Sequence, residues 1–283
     1  MSIGSRESLV EAARRYGLNL GNAEKDYVLS VALIGLSRLR EARALVFKGG
    51  TCLRKAYFEG YRFSSDLDFA GEIGDIEGLR GAIHRAFDDI TLEKVRFMKV
   101  KDMTMTGKQG MTLSLKYRSL ITDRPHTNSI RLDMSFDNPP LIPPVRELIT
   151  SPVEYGLEPV MIKIMPLTEM LAEKVHAIFK RPKPRDLYDM WFLLSDGTGF
   201  DRELVDRKLL ALGIVFESRA FEKRLELLGR GWGRDMRDLM VSYPSFEEVR
   251  NQTLRMLAGE GSSPRWRPTG SVRAPPTPPT LPR

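Results

Sequence analysis

Residues Leu45 to Ala70 read LVFKGGTCLRKAYFEGYRFSSDLDFA, and the rest of the chain takes its sense from them. Leu45-Val46-Phe47 is a short apolar run of strand character, and Gly49-Gly50 mark a turn. Cys52 to Gly60 reads as a helix with Leu53, Ala56 and Tyr57 on one side. Asp66-Leu67-Asp68-Phe69 opens a second strand. Alternate strand side chains share a face, so Asp66 and Asp68 project together while Leu67 and Phe69 enter the core. Two neighbouring carboxylates repel unless a cation or a proton lies between them. Paired hard oxygen ligands suit Mg²⁺, which completes its shell with water and substrate phosphates. The glycines let backbone N–H groups come close to a phosphate. The following helix adds a positive end, and the Thr51 hydroxyl can donate to a phosphate oxygen. Strand, glycine turn, helix and a strand carrying Asp-x-Asp together make a nucleotide-plus-metal arrangement, where a lone Asp-x-Asp would be a solvated strand end.

Gly49-Gly50-Thr51 followed by Arg62-x-Ser64-x-Asp66-Leu67-Asp68 resembles the nucleotidyltransferase motif of the polymerase-β-like superfamily. More narrowly, it resembles the abortive-infection toxins of the AbiEii/AbiGii type, which include the mycobacterial MenT toxins. The superfamily usually carries Gly-Ser where this chain has Gly50-Thr51, so the hydroxyl is retained. The gap from Thr51 to Asp66 is long for the superfamily and favours the toxin branch.

Composition sets the limits. A chain of 283 residues with 42% hydrophobic and 29% charged content is globular, with a sizeable core in one large domain or two ordinary ones. Cys52 is the one cysteine, so no internal disulfide is possible and a reducing compartment fits. It reads as a small buried residue. No apolar run suggests a membrane span and the N-terminus lacks a signal-peptide plan, so the expected location is cytoplasmic. Net charge is +7, of which the tail from Gly259 holds four arginines and one acid, or 4 − 1 = +3, leaving +4 for the body. That charge permits an acidic partner such as nucleic acid without demonstrating one.

Along the chain, residues 5–16 and 22–40 read as helices, the second with Asn22 as N-cap. Ile76–Ile90 reads as a helix, Glu93–Met105 and Met111–Arg118 as strands joined by a hairpin turn at 106–110. Asn128–Phe136 alternates: Ile130, Leu132, Met134 and Phe136 face one way, Arg131, Asp133 and Ser135 the other. Asp133 is then either an exposed strand residue or a third metal ligand. The resemblance implies the ligand, because polymerase-β-like enzymes take a third carboxylate from a neighbouring strand; three could hold two ions about 4 Å apart. Prolines at 139, 140, 143 and 144 break the pattern, with a short strand at Val160–Ile164.

Leu167, Leu171, Val175, Ile178 and Phe179 form a helix stripe starting after Pro166. Lys174, Ala177 and Arg181 recur near one side of that helix, the two cations about 10 Å apart along its axis. A solvated basic face has the same spacing. Lys174-x-x-Ala177-x-x-x-Arg181 followed by Arg185-Asp186-Leu187-Tyr188-Asp189 resembles the later motifs of the same toxins, in the same order. The resemblance implies that Lys174 binds nucleotide phosphates and that Asp186 completes the catalytic centre by orienting either the substrate or the lysine. Asp189 can pair with Arg185, cap structure or touch substrate. Helices follow at roughly 201–212, 217–229 and 245–258. Trp232 with Arg230, Arg234 and Arg237 is a helix end packed on the core, or a stacking cluster for a base. The Pro-, Gly- and Ser-rich tail reads as disordered.

The fold class expected is α/β (α+β): a polymerase-β-like nucleotidyltransferase domain with a mixed, mainly antiparallel sheet at 1–150, a helical domain at 151–258 completing the active cleft, and a tail at 259–283. The function implied by resemblance is metal-dependent transfer of a nucleoside monophosphate from an NTP to a hydroxyl. The implied acceptor is the tRNA 3′ end, and the implied system a toxin–antitoxin pair with a cognate antitoxin. Catalytic residues would be Asp66, Asp68, Lys174 and Asp186; nucleotide-binding residues Gly49, Gly50, Thr51, Lys174 and Arg181; and metal ligands Asp66, Asp68 and Asp133 for Mg²⁺, with Mn²⁺ as the alternative. Rival readings are a transferase acting on a protein side chain or small molecule, and a nucleotide- or RNA-binding regulator without turnover.

Overall fold

The computed structural model describes residues 4–105, 109–122 and 127–259. The expected hairpin tip at 106–108 and the tail beyond Gly259 lie outside the described residues. Contacts divide the chain into two compact units. Among the described residues the first holds everything to Pro139 together with Val145–Ile164, and the second holds Pro140–Pro144 and everything from Met165.

The first unit begins with α1 (Arg6–Tyr16) and α2 (Leu20–Ser37). The α2 N-cap is Asn19, not Asn22: the Asn19 side chain accepts from the Asn22 N–H at 2.8 Å, which starts the helix three residues before the position read from sequence. Every residue from Tyr27 to Leu36 is buried, so this part of α2 has no solvent face. Its Gly35 is required by packing, since a Cβ there would lie 2.5 Å from the Phe87 ring of α4 (Ile76–Phe87).

The sheet comprises β1 (Val46–Lys48), β2 (Asp66–Ala70), β3 (Thr91–Leu92), β4 (Val95–Met105), β5 (Gly110–Arg118), β6 (Thr127–Ser135), β7 (Val145–Ile149) and β8 (Val160–Ile164). Their spatial order is β3-β4-β5-β6-β2-β1-β8-β7. The β2–β6 and β1–β8 pairs are parallel and the others antiparallel, which is the mixed, mainly antiparallel sheet expected. Leu67, Phe69, Ile130, Leu132, Met134 and Phe136 are buried, as their alternation requires.

The sequence reading placed the domain transition near residue 150. The unit boundary instead falls between Ile164 and Met165, because β7 and β8 pair with each other and β8 joins β1. Strand β7, VRELI, lies at the sheet edge with four of five residues outside the core, so no clean alternation announced it. Pro140–Pro144 belongs with the second unit for a visible reason: the Leu141 and Ile142 N–H groups donate to the buried Glu169 carboxylate at 2.7 and 2.9 Å. Glu169 also pairs with the buried Lys208 at 2.7 Å.

The second unit is helical: α5 (Leu167–Lys180), α6 (Pro184–Ser195), α7 (Arg202–Leu210), α8 (Ser218–Glu226), α9 (Trp232–Arg237) and α10 (Phe246–Leu257). Trp232 is a packing residue here: it is buried, its Nε1–H donates to the Pro244 carbonyl, and its ring lies 5.8 Å from that of Phe246. Among the described residues no helix is long and apolar enough to cross a membrane.

A buried ion cluster fixes α2 to the segment that follows the glycine turn. Asp26 of α2 receives Lys55 at 3.0 Å and Arg54 at 3.4 Å, all three side chains at most 6% exposed. Lys55 also donates to Ser30 at 2.8 Å. Burial alone would raise the Asp26 carboxyl, but Lys55 and then Arg54 outweigh it and hold it below its ordinary value of 3.8. A depressed carboxyl stabilises the fold above that value and loses its contribution as pH falls below it. Asp26→Asn leaves two buried cations uncompensated and is expected to cost about 3–5 kcal/mol in urea unfolding at pH 7. That deficit should shrink as the comparison is repeated towards pH 3.

Candidate active site

The site grows from the end of β1. Lys48 is extended, Gly49 takes φ +77°, and Gly49–Cys52 forms one helical turn, α3, that continues as a π-helical turn over Leu53–Tyr57. The helix therefore starts three residues before Cys52, where the sequence reading put it, and ends three before Gly60. Gly49 needs to be glycine on two counts. Its φ lies in the left-handed region, and a Cβ would sit 2.4 Å from Asp68 Oδ2. The Asp68 carboxylate thus occupies the space a side chain at 49 would fill. Beneath Gly50 lies the buried Arg62, whose Nη2 would be 2.8 Å from a Cβ there.

Thr51 does not meet the expectation that its hydroxyl faces a phosphate. It is buried, and its hydroxyl donates to the Asp66 carbonyl oxygen. It is a strut between the glycine turn and the first residue of β2. Cys52 is buried too, and burial pushes its thiol well above the ordinary range, as befits a packing residue.

Strand register brings the carboxylates together. Lys48 on β1 pairs with Asp68 on β2, Asp68 with Asp133 on β6, and Asp133 with Thr112 on β5. Directly paired residues share a face, so Lys48, Asp68, Asp133 and Thr112 form one transverse row. Two residues along, Asp66, Arg131 and Ser114 form the next. Arg131 joins the rows: its Nη2 lies 2.9 Å from Asp66 Oδ2 and its Nε 2.7 Å from Asp133 Oδ2. Thr112 donates to the other Asp133 oxygen at 2.8 Å. Burial opposes the Arg131 charge, but Asp66, Asp133 and Asp68 outweigh it and raise the guanidinium above its ordinary value.

The donor set suits a hard divalent cation: three carboxylates on one sheet face, two on adjacent strands in register. As the side chains stand, no three acid, histidine or thiol groups converge into a cage among the described residues, and Asp66 and Asp133 turn to Arg131 instead.

In the second unit, Lys174 on α5 reaches two aspartates of α6. Its Nζ lies 3.0 Å from Asp186 Oδ1 and 2.6 Å from Asp189 Oδ2, with both carboxylates essentially buried. Of the two partners left open for Asp186, substrate or lysine, the lysine is the one in contact with it. Asp189, one helical turn on, completes the cluster and does not need Arg185 to do so. Asp186 Oδ2 is buried with no hydrogen-bond partner among the described residues, an acceptor held in reserve.

Arg181 is not on the helix with Lys174. Helix α5 ends at Lys180, and Arg181 is extended (φ −151°, ψ 92°) and exposed. Pro182 is the cause, because a residue before proline is driven out of the helical region. The i, i+3, i+7 face therefore ends before its last member.

Sequence reasoning passed over Arg131, Lys48 and Thr112, and it considered Arg185 rather than Lys174 as the ion-pair partner of Asp189. Arg131 was legible, since it shares the polar face of β6 two residues from Asp133. Lys48 and Thr112 depended on cross-strand register, which no local pattern reveals.

A protein-family model described as "Nucleotidyl transferase AbiEii toxin, Type IV TA system" matches residues 31–260. MenT4, a nucleotidyltransferase toxin from Mycobacterium tuberculosis, has a similar structure, with a TM-score of 0.61 and 20% identity over 88% of each chain. JHP933 from Helicobacter pylori is also similar, with a TM-score of 0.57 and 19% identity over 85% of this chain and 92% of that one. These likenesses show a shared fold. No sequence among functionally curated proteins matches this chain.

Gly49→Ala should displace Asp68 and strain the backbone, at a cost of about 1–3 kcal/mol, measured by denaturant unfolding. Lys174→Met strands two buried carboxylates and should cost about 3–5 kcal/mol. The double change Lys174→Met with Asp189→Leu should recover part of that loss in the same measurement.

Proposed function

Because this chain belongs to the AbiEii nucleotidyltransferase toxin family, it is a nucleotidyltransferase toxin of a toxin–antitoxin system, and we propose that it transfers a nucleoside monophosphate from an NTP to the 3′ acceptor end of tRNA, blocking translation in the cytoplasm. The observation that carries the reading is the row in which Asp68 and Asp133 stand in register with Asp66 beside them. Binding alone does not call for three acids on one small face, whereas transfer between two phosphate-bearing substrates does. The family also implies a cognate antitoxin as partner.

Asp66, Asp68 and Asp133 would hold Mg²⁺, with Mn²⁺ the alternative. When bound, the metal supplies Lewis-acid activation of the acceptor hydroxyl and neutralises triphosphate charge. Gly49 and Gly50 leave backbone uncovered, so a triphosphate can approach the turn closely. Thr51 keeps that turn fixed against β2. Thr112 holds Asp133 in one orientation. Lys174, held by Asp186 and Asp189, presents a fixed ammonium suited to nucleotide phosphate. Arg181, on its extended segment, contacts nucleotide phosphate. The acceptor oxygen bonds to the α-phosphorus, the bond to the β-phosphate oxygen breaks, pyrophosphate leaves, and the hydroxyl proton passes to a carboxylate of the row.

The mildly basic body, +4 once the tail is set aside, favours RNA only weakly. It keeps a protein side chain or a small molecule as the second reading of the acceptor.

Purified protein with Mg²⁺, each α-³²P-labelled NTP in turn and total tRNA should label the tRNA with one preferred nucleotide. Asp68→Ala should cut labelling on the order of 10²–10³-fold, the scale for losing one group that stabilises transition-state charge. Label entering protein instead of tRNA would move the acceptor to a side chain. No label with any NTP from folded protein would sink the tRNA reading.

A further inference from the structure

The carboxylate face contains a cation of its own. Arg131 lies between Asp66 and Asp133 and takes one oxygen from each, at 2.9 and 2.7 Å. Its placement follows from strand alternation and from the parallel register that sets Arg131 beside Asp66. The side chain is 46% exposed, while the two carboxylates it bridges are 25% and 29% exposed. Partly exposed ion pairs of this kind are weak. The guanidinium is therefore well placed to satisfy the acids and poorly placed to resist a competitor.

We propose that Arg131 is an intramolecular stand-in for the divalent cation: it screens the carboxylates in the metal-free protein and is displaced when metal binds. The inference rests on the metal-site reading of Asp66, Asp68 and Asp133. Its physical basis is that a site with three like charges repels itself unless a counter-charge is present. A metal can take Asp66 Oδ2 and Asp133 Oδ2 only after Arg131 lets go of them. Asp133 does not collapse when that happens, because Thr112 holds its other oxygen at 2.8 Å. Asp66 keeps its backbone position through the Thr51 hydroxyl on its carbonyl. The ligands are thus anchored from behind, and only the front is exchanged. The released guanidinium, on the same sheet face, becomes available to an incoming phosphate. Arg131 is a positioning residue in this account and touches neither substrate nor metal in the resting protein.

The test is a binding measurement, with Mn²⁺ as the probe and electron paramagnetic resonance as the readout, on wild type, Arg131→Gln, Arg131→Lys and Asp68→Asn. Removing the competitor should tighten Mn²⁺ binding in Arg131→Gln by roughly three- to tenfold, the scale of two weak ion pairs, with Arg131→Lys between it and wild type. Metal-free Arg131→Gln should melt a few degrees below wild type, and Mn²⁺ should raise its Tm more than that of wild type. In the wild type itself, the Arg131 Nε–H resonance should shift on adding Mg²⁺ and stay in place in Asp68→Asn. This arm decides the matter if the glutamine variant fails to fold. Equal or weaker Mn²⁺ binding by folded Arg131→Gln, or an unmoved Nε–H signal while metal binds, overturns the inference and leaves the metal site standing. Mn²⁺ binding unaffected by Asp68→Asn overturns both, because the row is then not the metal site.

Discussion

The candidate site in the first unit depends on the parallel pairing of β2 with β6 in one register. Asp68 faces Asp133 only because Leu67 faces Leu132 and Phe69 faces Met134. The apolar partners set the alignment by burial, and the acids between them are carried along. A slip of one residue would send the acids into the core and the leucines to the polar face. The hydrophobic core therefore enforces the spacing of the carboxylates, although no apolar side chain takes part in the chemistry. The glycine turn is tied to the same register: Gly49 yields its side-chain space to Asp68, and Thr51 bonds the Asp66 carbonyl.

A second regularity concerns charge. Asp26 lies among Arg54, Lys55 and the Ser30 hydroxyl; Arg131 lies between Asp66 and Asp133; Lys174 lies between Asp186 and Asp189. Each cluster alternates in sign, yet the three differ in burial. The Asp26 cluster is sealed and serves architecture. The Lys174 cluster is nearly sealed, with one oxygen in reserve. The Arg131 cluster is open. The cost of breaking an ion pair rises steeply with burial, so the chain sorts its ion pairs from permanent to exchangeable by depth alone.

Much of this was legible in the sequence. The Asp66/Asp68 alternation and the apolar face of Ile130 to Phe136 are period-two signals that tertiary structure had no reason to override, and both strands appear where the pattern put them. The mixed sheet and the family followed from motifs read in order. Other features were hidden for identifiable reasons. Edge strand β7 has too little burial to show alternation. The unit boundary depended on β8 pairing with β1, a contact between distant segments. The Thr51 hydroxyl could serve a ligand or the backbone, and only the fold shows its partner. Arg181 was a different matter: Pro182 was in plain view, and helical spacing was extended one residue past the point where proline stops it.

The row Lys48–Asp68–Asp133 has a consequence for how the protein is made. Its members come from strands separated by long stretches of chain, and synthesis runs from the N-terminus. The Gly-Gly turn and Asp-x-Asp leave the ribosome long before β6 does. Until Ser135 has emerged and β6 has docked, Asp66 and Asp68 have neither Asp133 in register beside them nor Arg131 to pair with. A nascent or truncated chain ending before Thr127 therefore lacks the full carboxylate row on which the proposed transfer rests. For a molecule whose activity harms the cell that translates it, late assembly from distant parts gives the ribosome that builds it a measure of protection.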